Sequence, residues 1–230
     1  MAPAVSASQA YAFADGSGGH ACAFSAGAPS VNDFDVLFVN SDTTVATPSG
    51  FTAGPTAVTD QGAYVFRRKA VGGESDTVTV TTGGNFNAHV IWARIAGANA
   101  ADVTGSAQVN GVAGTATPAF TSSALSETGE IAFAFAALHS FPASVPDTLT
   151  WAGSYTGITS GTQGTGSSGV AASVGYKVPA GTAAESPSCT WNNSANDRYV
   201  LFISLTSSAA ATPSLPPRRW RRNPAGLLAR

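Results

Sequence analysis

The chain has 230 residues, of which 43% are hydrophobic and only 10% are charged. This composition argues against an intrinsically disordered protein, because disordered chains are polar and highly charged. About a quarter of the residues of a typical globular protein are charged, so the surface here must be built largely from Ser, Thr and Asn. The length suits one large β domain or two small ones.

The formal net charge of −2 hides an asymmetry along the chain. All thirteen acidic residues precede position 218, together with six of the eleven basic ones, and the last thirteen residues contain five arginines. The body is therefore acidic and the C-terminus basic. An acidic body argues against a protein built to bind nucleic acid.

Short strands separated by turns account for the first half of the chain. Two strands are predicted at 10–14 and 21–26, with a Gly-rich turn between them, and a compact apolar strand at 34–39. Residues 62–82 alternate strictly, with Tyr64 and Phe66 on one face, and contain a Gly-Gly break. Alternation on both sides of such a break predicts a β-hairpin.

The second half continues the pattern. Residues 96–119 are predicted to be mostly loop, 120–125 is a weaker strand candidate, and 160–169 is a low-complexity Gly/Ser/Thr loop. No stretch of ten residues has the 3.6-residue period of a helix, so the fold class is predicted to be all-β. The remaining predicted strands are 89–95, 130–138, 149–151, 170–178, 188–191 and 198–205.

Two series of segments along the chain resemble each other. Each contains a Lys at a strand end, Lys69 or Lys177, followed by a Glu-Ser pair that begins with Glu74 or Glu185. A duplication, two similar halves of one sandwich built from Greek keys, and chance similarity all account for this pattern. The first series is 34–39, 48–51, 64–69, 73–80 and 90–95, and the second is 131–135, 150–151, 174–177, 181–191 and 199–205.

The sequence predicts no catalytic residue. His20, His89 and His139 are interpreted as ordinary histidines near strand ends, and the chain has no Gly-x-Ser-x-Gly nucleophile motif. No pair of carboxylates stands out for glycoside hydrolysis. Trp151 and Tyr155 could form a sugar-binding platform, but packing in the core is the favoured interpretation.

No metal or cofactor site is predicted either. Asp33 and Asp35 form a weak calcium candidate, and the favoured interpretation is solubility at a strand edge. Residues 164–169 match the spacing G-x-G-x-x-G, but the following residues favour a strand, whereas a dinucleotide site needs a helix there. Cys22 and Cys189 are expected to be buried free thiols, with a single disulfide as the alternative.

Sorting and membrane signals are not recognised in the sequence. The first basic residue is Arg67, and the N-terminus has no apolar run, so we expect no secretory signal peptide. The longest apolar run, 131–138, is too short for a membrane-spanning helix. We therefore expect a protein made in the cytoplasm, without a membrane partner.

The C-terminus differs from the body. Three prolines within 212–217 predict an extended spacer, which divides the chain into a β-sandwich domain (1–211) and a Pro/Arg-rich arm (212–230). A cluster of four guanidinium groups around a tryptophan suits an acidic groove on a partner protein, although a disordered tail without a dedicated partner is an alternative. The predicted partner-binding residues are Arg218, Arg219, Trp220, Arg221 and Arg222.

The order of the strand motifs resembles a jelly-roll β-sandwich module of structural proteins of tailed bacteriophages, of the minor tail, appendage and head-decoration types. The resemblance covers about 34–205 and concerns the strand pattern. Its motifs are Asp-Val-Leu-Phe-Val (35–39), Pro-Ser-Gly-Phe-Thr (48–52), Tyr-Val-Phe-Arg-Arg-Lys-Ala (64–70), Asp-Thr-Val-Thr-Val-Thr (76–81), His-Val-Ile-Trp-Ala-Arg-Ile-Ala-Gly-Ala (89–98) and Asp-Arg-Tyr-Val-Leu-Phe-Ile-Ser-Leu (197–205).

The resemblance implies a jelly-roll-like antiparallel β-sandwich that is a non-enzymatic virion structural protein, without a cofactor. Its expected partners are other capsid or tail subunits, including copies of itself. The basic arm is not part of the resembling module, and its composition alone predicts that it is the attachment segment. The alternative is a carbohydrate-binding module that recognises a glycan on the host surface. A hydrolase is the least supported function, because no catalytic constellation is recognised.

Overall fold

The computed structural model describes residues 2–58, 62–141, 146, 148–164 and 169–208, without the side chains of 15–17, 57–58 and 85–86. The described residues form strands and loops without any helix, so the predicted all-β antiparallel sandwich is confirmed. No helix long and apolar enough to cross a membrane occurs in this part of the chain.

The strands divide into two groups along the chain. The first group is β1 (Ala4–Ala23), β2 (Phe34–Ser41), β3 (Val45–Ala46), β4 (Thr52–Val58), β5 (Gly62–Lys69) and β6 (Thr77–Ala96). The second group is β7 (Ala98–Val109), β8 (Gly114–Ala116), β9 (Ile131–His139), β10 (Leu149–Trp151), β11 (Thr156–Gln163), β12 (Val170–Lys177), β13 (Cys189–Ala195) and β14 (Asp197–Ser207).

The two groups build two large sheets with the same connectivity. The first sheet has the order β4-β5-β2-β6-β1, and the second has the order β11-β12-β9-β14-β7. All neighbours are antiparallel in both sheets. The repeat found in the sequence is therefore a repeat of architecture, in which each half of the chain forms its own sheet.

The short strands of the two halves also correspond to each other. The first part of β6 pairs with the end of β1 (Val78 with Cys22) and with β3 (Thr82 with Val45). In the second half, β13 likewise pairs with β8 and β10. Thus β1 corresponds to β7 plus β8, β3 to β10, and β6 to β13 plus β14.

The two large sheets pack face to face around the main core. Phe38 of β2 lies between Phe133 and Phe135 of β9, with ring centroids 5.8 and 5.5 Å apart. At the edges, β1 faces β11 and β4 faces β7. Such reciprocal contacts are typical of a two-fold interface. Because each edge strand faces the equivalent of the opposite edge strand, the approximate two-fold axis that relates the two halves runs along the strands. Equivalent turns of the two halves therefore lie at the same end of the molecule.

A second apolar layer lies on the outer face of each large sheet. In the first half, Leu37 and Trp92 of the large sheet pack with Cys22 and Val78 of the folded-back strands. In the second half, Trp191 of β13 packs against β9 and β12. Burial on both faces explains why every residue of β2 and β9 is buried and why these strands have nearly continuous apolar sequences.

The predicted hairpin at 62–82 is wrong. Its two strands exist as β5 and the start of β6, but β2 lies between them and pairs with both. The connection 70–76 crosses one intervening strand, a distance of about 10 Å. Alternation fixes which face a residue occupies, and it carries no information about which strand is the neighbour.

Other boundaries also differ from the predictions. The strands predicted at 10–14 and 21–26 are one long strand, β1, whose register shifts near Gly16 absorb the Gly-rich turn. The predicted loop 96–119 contains β7 and β8, and β11 extends into the predicted loop 160–169, whereas 120–125 forms no strand. Edge strands made of small polar residues lack the alternation that identifies a strand buried on one face.

Candidate functional site

The predicted partner-binding residues, Arg218, Arg219, Trp220, Arg221 and Arg222, lie outside the described residues. The last described residue, Ser208, donates its backbone N–H to the carbonyl oxygen of Gly97, at 2.7 Å. Gly97 joins the two halves of the chain. The described body therefore ends beside this connection.

A tight turn recurs before β4 and before β11. Phe51 N–H donates to the carbonyl of Pro48 at 3.1 Å, and Tyr155 N–H donates to the carbonyl of Ala152 at 3.4 Å. The first turn contains one left-handed residue, Gly50 with φ 79°, and the second contains two, Gly153 with φ 69° and Ser154 with φ 65°. Glycine adopts this conformation without strain. Each turn buries the aromatic ring that follows it.

A cation lies over each of these rings. The guanidinium carbon of Arg68, near the end of β5, is 4.7 Å from the centroid of Phe51. The Nζ atom of Lys177, at the end of β12, is 5.1 Å from the centroid of Tyr155. The two halves therefore repeat a cation–aromatic contact at equivalent positions.

Each cation also lines a recess. The first recess has a volume of about 380 Å³ and the second a volume of about 420 Å³, and both are open to solvent. Each lies beside the tight turn and the loop that follows β5 or β12. The first is lined by Ser49, Gly50, Arg68, Glu74, Ser75, Thr77, Val78 and Thr79, and the second by Ser154, Thr156, Tyr176, Lys177, Val178, Pro179 and Ala180.

A buried ionic triad holds Arg68 in the first recess. Asp35 of β2 lies directly opposite Arg68 on one side and Arg94 of β6 on the other. Arg68 Nε and Nη2 donate to Asp35 Oδ2 at 3.0 and 2.9 Å, and Arg94 Nε donates to Oδ1 at 2.9 Å. The guanidinium groups also lie near the ring of Trp92. A fully buried carboxylate needs such partners, because its desolvation is costly.

The triad excludes the calcium candidate at Asp33 and Asp35. Both oxygens of Asp35 are bound by guanidinium groups, and Asp33 Oδ2 accepts a hydrogen bond from Ser30 N–H at 2.8 Å. No group of three or more His, Cys, Asp or Glu side chains is placed to hold a metal in the described ranges. Asp35 is a structural counter-ion.

One nitrogen of the Arg68 guanidinium group, Nη1, is available to bind a ligand. Nη2 makes a further hydrogen bond to the carbonyl of Ser75 at 3.2 Å, whereas Nη1 has no hydrogen-bond partner among the described residues. Across the recess, Glu74 accepts hydrogen bonds from the N–H groups of Val71 and Gly72. The bond from Val71 is the main cause that lowers the pKa of Glu74, so this carboxylate is charged at neutral pH.

The cation of the second recess is paired with a loop residue, whereas Arg68 is paired with Asp35 of the neighbouring strand β2. Lys177 forms an ion pair with Glu185, which also accepts a hydrogen bond from the hydroxyl of Tyr155 at 3.3 Å. Burial, reinforced by Glu185, raises the pKa of Tyr155. Trp151 packs over Gly175, and its indole N–H donates to Ser173 Oγ at 2.9 Å. The buried ring of Tyr155 thus offers no sugar platform.

A separate polar cluster lies between the large sheets, at the end opposite Gly97. Asn40 Nδ2 donates to the carbonyls of Leu138 and Ala171 on the other sheet, at 3.1 and 2.8 Å. His139, at the end of β9 as predicted, lies 3.3 Å from Asp42. His89 lies within β6 rather than at its end, and burial lowers its pKa to about 4. These contacts tie the two halves together.

Sequence reasoning missed the triad and the first recess. Alternation already puts Arg68 on the same face as Phe66, and Asp35 on the same face as Leu37, and both of these apolar residues are buried. A charged residue on an otherwise apolar face of a predicted strand was therefore the feature of the sequence that could have indicated the buried ion pair.

Comparison with protein-family models, with curated proteins and with solved structures found no match. The function must therefore be argued from the residues and surfaces of this chain.

Proposed function

We propose that the protein is a non-enzymatic structural protein of a bacteriophage particle, either a capsid decoration protein or a minor tail protein. Its C-terminal arm, with Arg218, Arg219, Trp220, Arg221 and Arg222, attaches it to acidic surfaces of other virion subunits. Further copies of the chain are expected in the same assembly.

The observation that carries the proposal is a set of exposed apolar residues at one end of the sandwich. We call this end, where the connection at Gly97 lies, the linker end. Gly97 and the last described residue, Ser208, meet there. Val31 lies against Gly72, the neighbour of Val71 in the loop after β5, and Val178 is in the equivalent loop of the second half. Their side chains are 60%, 81% and 50% exposed.

Exposed apolar side chains gathered at one end of a domain are candidates for a contact surface. Three of the four large hydrophobic residues exposed in the described part of the chain are these valines, and the fourth, Val112, lies towards the opposite end. The basic arm follows from the linker end. Apolar anchors and a charged arm together suit attachment of one end to a larger surface, with the sandwich projecting outward.

The architecture supports the same role. Two equivalent halves are packed through a common core, and their buried charges serve as ties between neighbouring strands. Such a body suits a protein exposed to shear and proteases, because local opening requires the loss of buried contacts.

The experiment is incorporation into particles. A chain truncated after residue 211 should keep the fold and thermal stability of the body but should be missing from purified particles. Normal incorporation of the folded, truncated protein would contradict attachment through the arm.

A matched pair of variants tests the linker end itself. The double substitution Val71→Asp and Val178→Asp should reduce incorporation, because it places charge on the proposed contact surface. Val112→Asp is the control and should leave incorporation unchanged. Equal effects of the two variants would contradict the assignment of the linker end.

A further inference from the structure

We propose that the first recess is a binding site for a neutral saccharide unit. The inference goes beyond the assembly role, because it concerns Arg68 and the loops around it and does not involve the arm. A protein can attach to a particle through one surface and bind a glycan through another, so the two proposals can fail separately.

The lining of the first recess is rich in hydroxyl groups. Ser49 lies on the tight turn, Ser75 on the loop after β5, and Thr77 and Thr79 on β6. A hydroxyl group both donates and accepts hydrogen bonds. Such a surface is complementary to a ligand that is itself polyhydroxylated.

Arg68 supplies a donor that is fixed before the ligand arrives. Its ion pair with Asp35, its bond to the carbonyl of Ser75 and the ring of Phe51 hold the guanidinium group in place. Nη1 has no partner in the described structure. Fixed donors lose little entropy on binding, which is the advantage of a preorganised site.

Glu74 supplies the complementary acceptor. Each of its oxygens accepts one backbone hydrogen bond and retains capacity for another, because a carboxylate oxygen has two lone pairs. Adjacent hydroxyl groups of a sugar ring can donate to such a carboxylate and accept from a guanidinium group.

The charges around the recess do not favour an anion. Arg68 and Arg94 are balanced by Asp35 and Glu74, and the exposed Asp76, hydrogen-bonded to Thr77 of the lining, adds one negative charge. An acidic saccharide would also approach Glu74 unfavourably. These carboxylates therefore select against an acidic saccharide, and the hydroxyl-rich lining suits a neutral one.

The second recess should not bind in the same way. Lys177 is paired directly with Glu185, and only Ser154 and Thr156 contribute hydroxyl side chains besides the phenol of Tyr176. We therefore expect one saccharide per chain. Since Phe51 is covered by Arg68 and offers no stacking surface, the dissociation constant should be millimolar.

The test is an NMR titration of the full-length protein with glucose, galactose, N-acetylglucosamine and rhamnose, and with glucuronate as the acidic probe. At least one neutral sugar should shift the amide signals of Gly50, Ser75 and Thr79 and the Nε–H signal of Arg68, saturating at one site per chain. No saturable shift with any neutral sugar, shifts only with glucuronate, or two equal sites would overturn the proposal.

Two exposed residues near the turn provide a variant and its control. Ser49→Trp should fill the recess and abolish the shifts, whereas Thr47→Trp, outside the lining, should leave them unchanged. Glu74→Gln should weaken binding several-fold with the fold intact. Binding that survives Ser49→Trp unchanged would contradict the assignment of the recess.

Discussion

Asp35 and Arg68 lie directly opposite each other on neighbouring strands, and Arg68 makes two hydrogen bonds to one carboxylate oxygen of Asp35. Arg94 occupies the other oxygen from the opposite side. The pair is buried, with side-chain exposures of 0% for Asp35 and 7% for Arg68. This ion pair holds Arg68 in place on the outer face of the first sheet. Because Arg68 also lines the first recess, the pair holds one wall of that recess in place.

Asp35→Asn should strongly destabilise the protein, because it leaves two buried guanidinium groups without a counter-charge. The expected loss is about 3–5 kcal/mol of unfolding free energy, measured by urea denaturation. Asp33→Asn is the matched control, because Asp33 is less buried and accepts only one backbone hydrogen bond. A loss of less than about 1 kcal/mol for Asp35→Asn, the level of an exposed ion pair, would show that the triad contributes little.

Stability should fall as the pH decreases from about 6.5 to about 4, through the titration of His89. Burial lowers its pKa from 6.5 to about 4, so the unfolded chain binds a proton in this range before the folded chain does. The contribution is fully present above pH 6.5 and is lost towards pH 4, with a total of about 3 kcal/mol.

The measurement is the unfolding free energy at several pH values for the wild type and for His89→Asn. Carboxylates also titrate near pH 4, so the difference between the two proteins is the informative quantity. That difference should shrink as the pH falls below 6.5. A constant difference from pH 7 to pH 4 would contradict a depressed pKa for His89.

Gly161→Ala should destabilise the packing of β11 against β6. A Cβ atom at this position would overlap the imidazole ring of His89, and overpacking of a core typically costs about 1–3 kcal/mol. Gly181→Ala is the control, because no atom lies within 4 Å of its added methyl group. In a double-mutant cycle, His89→Ala should relieve part of the cost of Gly161→Ala. Additive losses would instead indicate that the two residues do not touch.

Cys22 and Cys189 should be unreactive towards a thiol reagent in the native protein. Both are free and buried, and burial raises the pKa of each thiol to about 12, so almost no thiolate is present at pH 8. Two thiols per chain should react after unfolding in guanidinium chloride. Rapid native labelling, or fewer than two thiols after unfolding, would contradict this description of the cysteines.

Some of the fold could be predicted because certain strands carry a distinctive pattern. β9 and β14 have apolar residues that alternate or run continuously. A Lys at a strand end followed by a Glu-Ser pair, at Lys69 and again at Lys177, indicated the repeat, although the structural equivalent of Lys177 is Arg68. β4, β7 and β11 could not be recognised, because edge strands have one neighbour and their small polar residues resemble loops. The order of strands depends on contacts between distant residues, which local alternation does not encode.

The candidate site was less predictable than the fold. Alternation placed Asp35 and Arg68 on apolar faces, but their pairing required β2 to lie between β5 and β6, which local alternation does not encode. The recess likewise combines the turn at Gly50 with the loop at Glu74, and these residues come together only through the sheet. The arm residues Arg218 to Arg222 remain a prediction from sequence alone.

The most direct test of the proposed assembly role is electron cryo-microscopy of phage particles produced in a host that expresses this chain. The account predicts density for the two-halved sandwich on the outer surface of the head or tail. The linker end, with Val71 and Val178, should face the particle, and Val112 should lie away from it. Absence of the protein from purified particles, or attachment through the end that carries Val112, would contradict the account.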